Sequence, residues 1–459
     1  MKQSMLLIFG ILLNIGSIAQ SCLPEGIIFS TQGQIDSFNI NHPNCIEIEG
    51  NVTIYTYAET NITNLNGLIL LTSIDGSLDI ELGYPLGASY LTSLLGLEGL
   101  TTIGGSLLIH GNSALTSLAG LNNLTSIGES LSIMSNNSLT SLTGLSRLCS
   151  IGSDLIINGE FSLTILSGLE GLTSINGNLE IETNSNLINL IGLDNVNYIG
   201  GPIYIMNNHL TSLEGLDNLI STGGSITILD NESLISIAAL GNLTSIGGFL
   251  TIKGTYHLTN LSGLNNLTYI PGYLNIDMNH ALTSLIDLLG VSSIEGSLLI
   301  RHNDELTSLT GLDNINAGSI SNLQIYSNGS LCNCAVQSIC DYLSAPVGDF
   351  EIWNNANGCN SPIEVDSACT YLSTVDNHID SALSIYPNPA FSQITVELDN
   401  SISRISTFLS IYNIEGKQLI KHDIIGPMTT VNVSGLNSGI YFVKIVDRDN
   451  VLVKKIVKN

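Results

Sequence analysis

The apolar residues between positions 62 and 330 follow a pattern that repeats every 24 residues. In one copy, residues 139–157, apolar side chains fall at every third position from Leu139 to Ile151 and then alternate at Leu155 and Ile157. Alternation predicts a short strand with these two side chains pointing inward. The three-residue spacing predicts turns that return an apolar side chain to the same axis. Each repeat is therefore expected to form one coil around a narrow apolar core.

The regularity of the spacing predicts the class of fold. The tetrapeptide LTSL at Leu91 recurs in recognisable form, and eight of the nine intervals are 24 residues while one is 23. A worn copy begins at Ile62. Later copies begin at Leu115, Leu139, Leu163, Leu187, Leu210, Leu234, Leu258, Leu282 and Leu306. Because one coil cannot bury its own apolar ends, copies must stack, and we expect an all-β solenoid of about eleven to twelve coils.

Two polar columns accompany the repeat. An Asn follows most predicted strands and is expected to bond backbone groups of its own and the next coil. This column contains Asn112, Asn136, Asn184, Asn208, Asn231, Asn279, Asn303 and Asn328, with Glu160 and Thr255 as replacements. A second column is rich in Thr, which suggests an ice- or mineral-binding surface as an alternative function. Its members are Thr92, Thr116, Thr140, Thr164, Thr211, Thr259, Thr283 and Thr307, interrupted by Ile188 and Ile235.

The pattern changes after a polar linker at residues 371–383. Residues 384–459 lose the period and show short alternating segments separated by turn signals at 415–416 and 437–439. The predicted strands are 394–398, 408–413, 430–433, 440–446 and 451–457. This arrangement is typical of a small all-β sandwich.

The N-terminus carries a secretion signal. Residues 1–19 combine Lys2, an apolar run from Met5 to Leu13, and small residues at Ser17 and Ala19. This pattern predicts a signal peptide cleaved after Ala19. No later segment is apolar over about eighteen residues, so no membrane span is expected.

Charge excludes several classes of function. Charged residues make up 11% of the chain, and residues 21–383 contain three basic side chains (Arg147, Lys253, Arg301) against 33 acidic ones, a balance of 3 − 33 = −30. Nucleic-acid binding requires clustered Lys and Arg, so it is not expected. No nucleophile motif, phosphate loop, dinucleotide fingerprint or metal-ligand spacing is present, which predicts a non-enzyme without catalytic residues, cofactor or metal.

The eight cysteines cluster at the two ends of the repeat region, where caps are needed. An exported chain permits disulfides, and we expect them among six residues. These are Cys22, Cys45, Cys334, Cys340, Cys359 and Cys369. The pairing within the C-terminal group is left open, as is the state of Cys149 and Cys332.

The repeat resembles the receptor L domain, a right-handed leucine-rich solenoid. The resemblance covers residues 20–370, including Cys45–Ile54, which looks like a first strand after a capping helix, and the cysteine-bearing segment 334–359. It implies a right-handed winding with cysteine-bearing caps. It also implies binding of a protein or glycan without catalysis.

The tail resembles the C-terminal sorting domain of the type IX secretion system. Four motifs occur in order: Tyr386–Pro389, 411–417, 436–444 and 454–458. The resemblance implies that residues 384–459 engage the secretion machinery and direct export across the outer membrane. It also implies removal of the tail, followed by anchoring at the surface or release.

The outward strand positions supply the candidate site. Apolar side chains there flank Glu180 and Glu182, and exposed apolar groups rimmed by polar ones mark interaction sites. The candidate ligand-binding residues are Met134, Ile156, Tyr204, Met206 and Leu229. The sequence thus predicts an exported binding or adhesion protein. The alternative is a structural coat or spacer protein without a specific ligand.

Overall fold

The alternating Leu and Ile positions of the repeats form one parallel sheet of 14 strands. The computed structural model describes residues 20–56, 62–83, 89–370, 383–398, 408–413, 417–424, 426, 428–447 and 450–459. The predicted signal peptide and residues 371–382 of the predicted linker lie outside these ranges. The chain divides into two compact units, Met1–Val365 and Asp366–Asn459.

The regular secondary structure of the first unit consists mostly of short strands. Numbered along the chain, they are β1 Gln20–Cys22, β2 Ile27–Phe29, β3 Cys45–Ile48, β4 Val52–Tyr55, β5 Ser73–Ile74, β6 Leu78–Glu81, β7 Thr102–Ile103, β8 Leu107–His110, β9 Ser126–Ile127, β10 Leu131–Met134, β11 Ser150–Ile151, β12 Leu155–Asn158, β13 Ser174–Ile175, β14 Leu179–Glu182, β15 Tyr198–Ile199, β16 Ile203–Met206, β17 Ser221–Thr222, β18 Ile226–Leu229, β19 Leu250–Lys253, β20 Tyr269–Ile270, β21 Leu274–Asp277, β22 Ser293–Ile294, β23 Gly296–Arg301, β24 Ile320–Tyr326 and β25 Phe350–Trp353.

These strands lie in parallel sheets along the stack. The 14-stranded sheet has the order β2-β4-β6-β8-β10-β12-β14-β16-β18-β19-β21-β23-β24-β25. The two-residue strands form a six-stranded sheet from β1 to β11, a three-stranded sheet β13-β15-β17 and the pair β20-β22. Successive strands in space are successive coils in sequence, so the predicted all-β solenoid is confirmed as a class.

The core consists of the predicted inward columns. In the coil that begins at Leu139, Leu142, Leu145, Leu148 and Leu155 are fully buried, as are Leu139 and Ile157. Strand pairing keeps the columns aligned, because Leu155 pairs with Leu131 on one side and Leu179 on the other. Every coil therefore adds the same ring of Leu and Ile side chains to one continuous core.

Close backbone approach explains a column of glycines in the bends. Gly192 has a φ of 118°. A Cβ atom there would lie 2.1 Å from the carbonyl oxygen of Leu166, one coil earlier. Only glycine combines this conformation with such a short distance between coils.

The ends of the solenoid carry helices and disulfides. The helices are α1 Gln32–Asp36, α2 Phe38–Asn41 and α3 Gln337–Ser344, and residues 362–370 are also helical. Single 3-10 turns occur at Asn66–Leu68, Thr143–Leu145, Ala238–Asn242, Ile286–Leu288 and Ala317–Ser319. Disulfides join Cys22 to Cys45 and Cys334 to Cys359. Cys340 and Cys369 are disulfide-bonded as well, whereas Cys149 and Cys332 are free and exposed.

The beginning of the solenoid differs in detail from the sequence expectation. The segment from Cys45 to Ile54 was expected to form a first strand, yet it forms two, β3 and β4, in different sheets. The first strand of the 14-stranded sheet is β2, which precedes both capping helices. With only three residues, β2 is too short for its alternation to stand out in the sequence.

The second unit contains two antiparallel sheets. Its strands are β26 Leu383–Tyr386, β27 Gln393–Leu398, β28 Phe408–Tyr412, β29 Gln418–Asp423, β30 Met428–Asn432, β31 Gly439–Asp447 and β32 Asn450–Lys458. The sheets have the orders β26-β27-β30 and β29-β28-β31-β32. Side chains from both sheets share one core, including Val396, Val431, Ile411 and Val443. This is the packing of a sandwich.

The first and last motifs of this unit lie together. Asn388 donates from Nδ2 to the carbonyl oxygen of Lys455 at 3.1 Å and accepts at Oδ1 from the backbone N–H of Val457 at 2.8 Å. Lys454 donates from Nζ to the carbonyl oxygen of Leu383 at 3.0 Å. The motif at 386–389 is therefore fastened to the final strand.

Candidate binding face

The outward side chains of the 14-stranded sheet form the candidate surface. In a typical four-residue strand the second and fourth residues point away from the core, and in-register pairing arranges them in two columns across the sheet. In β16 these residues are Tyr204 and Met206, which pair with Thr227 and Leu229 of β18. We call the two columns together the outer face.

The five predicted ligand-binding residues all lie on the outer face and are half-buried. Ile156 and Tyr204 belong to the column of second residues, and Met134, Met206 and Leu229 to the column of fourth residues. Met206 pairs directly with Leu229 across β16 and β18. Their role in ligand binding stays a prediction.

Strand β14 divides the predicted patch. Its outward residues Glu180 and Glu182 pair with Ile156 and Asn158 on one side and with Tyr204 and Met206 on the other. The structure thus places Tyr204, Met206 and Leu229 together. Met134 and Ile156 lie on the other side of the carboxylates of Glu180 and Glu182.

A charged cluster, which sequence reasoning did not single out, lies further along the same face. Asp277 is 4% exposed. Its Oδ2 accepts from Lys253 Nζ at 3.1 Å and from Arg301 Nη2 at 3.2 Å, while its Oδ1 lies 2.9 Å from His302 Nδ1. Burial alone would raise the pKa of Asp277, but the hydrogen bonds from His302 and Lys253 and the charge of Arg301 lower it. Asp277 is therefore held as a carboxylate.

Arg301 is fixed on both sides. One terminal nitrogen, Nη2, bonds the side-chain oxygens of Asn275 and Asp277 at 3.1 and 3.2 Å. The other, Nη1, lies 3.3 Å from Gln324 Oε1 and 3.4 Å from the Tyr326 hydroxyl. The guanidinium carbon lies 5.8 Å from the centre of the Tyr326 ring. These contacts lock the guanidinium in one orientation.

Two aromatic residues continue the cluster to the edge of the sheet. The rings of Tyr326 and Trp353 stack with centroids 4.6 Å apart and planes at 7°. Trp353 is 48% exposed. The repeat pattern could have revealed this pair, since both residues continue the column of fourth residues. The signal was obscured because β24 and β25 lie 25 and 27 residues after their predecessors rather than 24.

A second ionisable pair lies near the start of the outer face. Burial raises the pKa of Asp79, and burial lowers the pKa of His110. His110 Nε2 lies 3.0 Å from the Ser132 hydroxyl. Asp79 Oδ1 is buried and has no partner among the described residues. The pair shows that the outer face is not uniform in charge.

The Asn column forms the predicted ladder. Asn184 donates from its backbone N–H and from Nδ2 to Oδ1 of Asn208, at 3.0 and 3.1 Å. Nδ2 also donates to the carbonyl oxygen of Ile157 at 2.9 Å, so the hydrogen bonds of one side-chain amide connect three coils. The side chains of the Asn column are buried, and their hydrogen bonds hold neighbouring coils together.

Glu160 is the exception within this ladder. It is fully buried, and its Oε1 accepts from the backbone N–H and Nδ2 of Asn136 at 2.9 and 3.0 Å. Its Oε2 has no partner among the described residues. Burial raises the pKa of Glu160 to about 7, although the two hydrogen bonds from Asn136 act in the opposite direction.

The Thr column also has a structural explanation. The hydroxyl of Thr116 donates to the carbonyl oxygen of Thr92 at 3.1 Å, and that of Thr283 to the carbonyl oxygen of Thr259 at 3.1 Å. Each bond joins one coil to the coil before it. These hydroxyls therefore hold the stack together, which weakens the ice- or mineral-binding alternative.

No group of three or more His, Cys, Asp or Glu side chains suited to a metal ion occurs in the part of the chain that the structure describes. Within those same ranges, no helix has the length and apolar character needed to cross a membrane.

Comparison with known families decides the nature of the second unit. Residues 384–459 match the family model of the secretion system C-terminal sorting domain. The match covers both sheets from β27 onward and the fastened motif at 386–389. The chain is exported to the cell surface or secreted. Its tail interacts with the type IX secretion machinery.

The solenoid has no such match. No family model for receptor L domains or leucine-rich repeats matches the chain. The curated proteins contain no match to it. The surface side chains of the solenoid carry the remaining information on its function.

Proposed function

We propose that this is an exported binding protein that recognises an extracellular protein or glycan through the outer face of its 14-stranded sheet. The observation that supports this is the contrast between surfaces. In the Asn and Thr columns the same residue type recurs along the stack. The polar groups of these side chains form hydrogen bonds to neighbouring coils. The outer face changes from strand to strand in charge, size and aromaticity, as a recognition surface must.

The finer description of the fold belongs to the same proposal. We infer a right-handed winding and a relationship to receptor L domains, supported by the repeat pattern and the cysteine-bearing caps. We also infer eleven to twelve repeat coils, with the remaining strands of the 14-stranded sheet contributed by the caps. We also infer that the tail is removed during export. The regular coil spacing and the C-terminal sorting domain are consistent with export of the whole solenoid to the cell exterior.

The proposal includes no catalytic activity. Catalysis on extracellular polymers uses carboxylates together with a basic or metal group held near the substrate. Lys253 and Arg301 are both engaged with the buried carboxylate of Asp277. This arrangement favours fixed electrostatic recognition over proton transfer.

A structural spacer is the second candidate, favoured by the coil-to-coil bonds. Hydroxyl and amide ladders such as Thr116 to Thr92 and Asn184 to Asn208 stiffen the stack along its length. A rod built in this way could serve as a coat without any ligand. The two candidates differ in whether side chains of the outer face matter.

The double variant Tyr204→Ala with Met206→Ser tests this difference. An array of glycans and extracellular proteins is probed with the full chain. Because two large side chains of the outer face are truncated, we expect affinity for the bound spots to fall about tenfold or more. The melting temperature should change little, since both residues point away from the core.

The matched control is Ile188→Ser with Ile235→Ser. Both residues are exposed, at 46% and 58%, and interrupt the Thr column rather than the outer face. The control should retain the affinity of the wild-type protein. Equal binding by the two double variants would show that Tyr204 and Met206 do not belong to the binding site. An array on which the protein binds no spot would favour the structural-spacer function.

A further inference from the structure

Five outward side chains form a row across the last strands of the 14-stranded sheet. Lys253 pairs with Asp277, Asp277 with Arg301, Arg301 with Tyr326, and Tyr326 with Trp353. With strands about 4.8 Å apart, four spacings make a row of about 19 Å. A ligand that follows the row meets charged groups at one end and aromatic rings at the other.

The charged end carries an excess of positive charge. Lys253 and Arg301 are two of only three basic residues between positions 21 and 383. Together with Asp277 they leave one positive charge uncompensated, and His302 lies beside them. In a body with 33 acidic side chains, this concentration is a local electrostatic feature that an anionic or oxygen-rich ligand would recognise.

Hydrogen-bonding groups remain available in this cluster. Among the described residues, Lys253 Nζ contacts Asp277 alone, and its side chain is 35% exposed. His302 donates from Nδ1 to Asp277, which leaves Nε2 as an acceptor on the opposite edge of a side chain that is 46% exposed. Asp277 and Arg301 hold these groups in place, so they need little ordering when a ligand binds.

The aromatic end offers an open ring face. Tyr326 covers one face of Trp353, and Trp353 is 48% exposed as a residue. Because β25 is the last strand of the 14-stranded sheet, no further strand of that sheet covers the other face. Trp353 is the single tryptophan of a chain with only 5% aromatic residues. A side chain so exposed contributes little to the core.

The neighbouring residues distinguish between ligand classes. The column of second residues in these strands reads Thr251, Asn275, Leu299, Gln324 and Glu351, mostly polar. A protein interface centres on a continuous apolar core with a polar rim. Here the apolar surface is one stacked aromatic pair, with Leu299 as the apolar member of the adjacent column, among planar polar groups. A sugar ring has the complementary form, with an apolar face of C–H groups and hydroxyls around its edge.

We propose that the row from Lys253 to Trp353 binds a glycan chain. One sugar ring stacks on the open face of Trp353, and following sugars cross the row so that Lys253 donates to their hydroxyl or carboxylate oxygens and His302 Nε2 accepts from a hydroxyl. This inference rests on the proposed function and adds a glycan subsite to the same outer face, at its opposite end from Met134.

The single tryptophan makes the site directly observable. Tryptophan emission, excited selectively so that the 15 tyrosines do not contribute, reports only on Trp353. The probes are cellohexaose, chitohexaose and hexagalacturonate with the matching disaccharides. We expect at least one hexasaccharide to shift the emission in a saturable manner. Binding of the acidic hexamer alone would identify a carboxylate as the group at Lys253, and binding of a neutral one would identify hydroxyls.

Variants separate stacking from hydrogen bonding, with affinities measured by calorimetry. Trp353→Ala should weaken hexasaccharide binding about tenfold or more. Lys253→Met should weaken the hexasaccharide but not the disaccharide, because a short ligand on Trp353 does not reach across the row. Tyr198→Ala is the control, since Tyr198 is an exposed aromatic residue of the separate strand β15 and should leave affinity unchanged.

Two results would overturn the glycan site. One is the absence of any emission change or heat with all the saccharides. The other is full hexasaccharide affinity in Trp353→Ala. If the array described above shows bound proteins in either case, the proposed function stands and only the glycan site is lost, whereas an empty array removes both.

Discussion

Removal of residues 139–162, one full period, is expected to leave a cooperatively folded protein. The deletion places β10 beside β14, and both already pair in the same register with the strand that is lost. Asn136 would then meet Asn184, which restores an all-amide ladder at this point. The inward columns on either side of the cut join without displacement, so one coil can be lost at little cost in register.

Removal of residues 139–150, half a period, should have the opposite result. The half coil that remains cannot return the chain to the strand position, so Leu155 and Ile157 no longer meet Leu131 and Ile133. We expect a melting temperature lower by more than about 10 °C, or no cooperative transition. Calorimetry and circular dichroism of both deletions make the comparison. Equal melting temperatures would contradict the stacked-coil structure.

The stability of the protein should decrease from pH 5 to pH 8 because of Glu160. Its pKa is raised to about 7 in the folded state from an ordinary 4.5, so the folded state holds the proton more tightly than the unfolded state. The stabilisation is complete below pH 4.5 and is lost as the pH rises through about 7. By linkage the loss between pH 5 and pH 8 is about 2 to 3 kcal/mol.

The ladder gives a physical reason for the protonated form. Asn184 donates from Nδ2 to the carbonyl oxygen of Ile157, 27 residues earlier. The same spacing counted back from Glu160 leads to the carbonyl oxygen of Ile133. A carboxylic acid can donate there and a carboxylate cannot. We infer that the protonated carboxyl takes over the role of the missing amide.

Glu160→Gln tests this assignment, since its amide donates at every pH. Denaturant unfolding of the variant should lack the loss of about 2 to 3 kcal/mol that the wild-type protein shows between pH 5 and pH 8. Glu214→Gln, at an exposed position, controls for the removal of one carboxylate. If Glu160→Gln kept the full pH dependence of the wild-type protein, Glu160 could not be its source.

Much of the solenoid could be predicted because repetition makes the pattern redundant. A single Leu at position 142 is weak evidence for a coil, but ten aligned copies place Leu142, Leu155 and Ile157 in the core without ambiguity. The same redundancy predicted the Asn ladder. Once the side-chain columns are known, strand pairing follows from the 24-residue spacing.

Prediction was weaker where repetition ends. Strand β29 consists mostly of exposed residues at a sheet edge, so it lacks the alternation that marks a half-buried strand. Strand β26 is only four residues long and runs directly into Pro387. Both were missed, although the other five strands of the tail were located to within about two residues.

The charged and aromatic row was missed for a related reason. Its members come from five coils, and the contacts among Lys253, Asp277 and Arg301 depend on side-chain orientation that spacing alone does not specify. The longer final coils moved Tyr326 and Trp353 out of the expected positions. The five predicted apolar residues, in contrast, were found by counting alone, and the structure shows that β14 separates them.

The central claim, that residues 384–459 deliver the solenoid out of the cell, is tested most directly by quantitative mass spectrometry of the cell surface and the medium. Cells producing the full chain are compared with cells producing a chain that lacks 384–459. We expect peptides from residues 20–370 outside the cell, without peptides from 384–459, and we expect the truncated chain to be confined to the periplasm. Equal amounts of the truncated and full-length chains outside the cell, or tail peptides as abundant there as those of the body, would contradict the account.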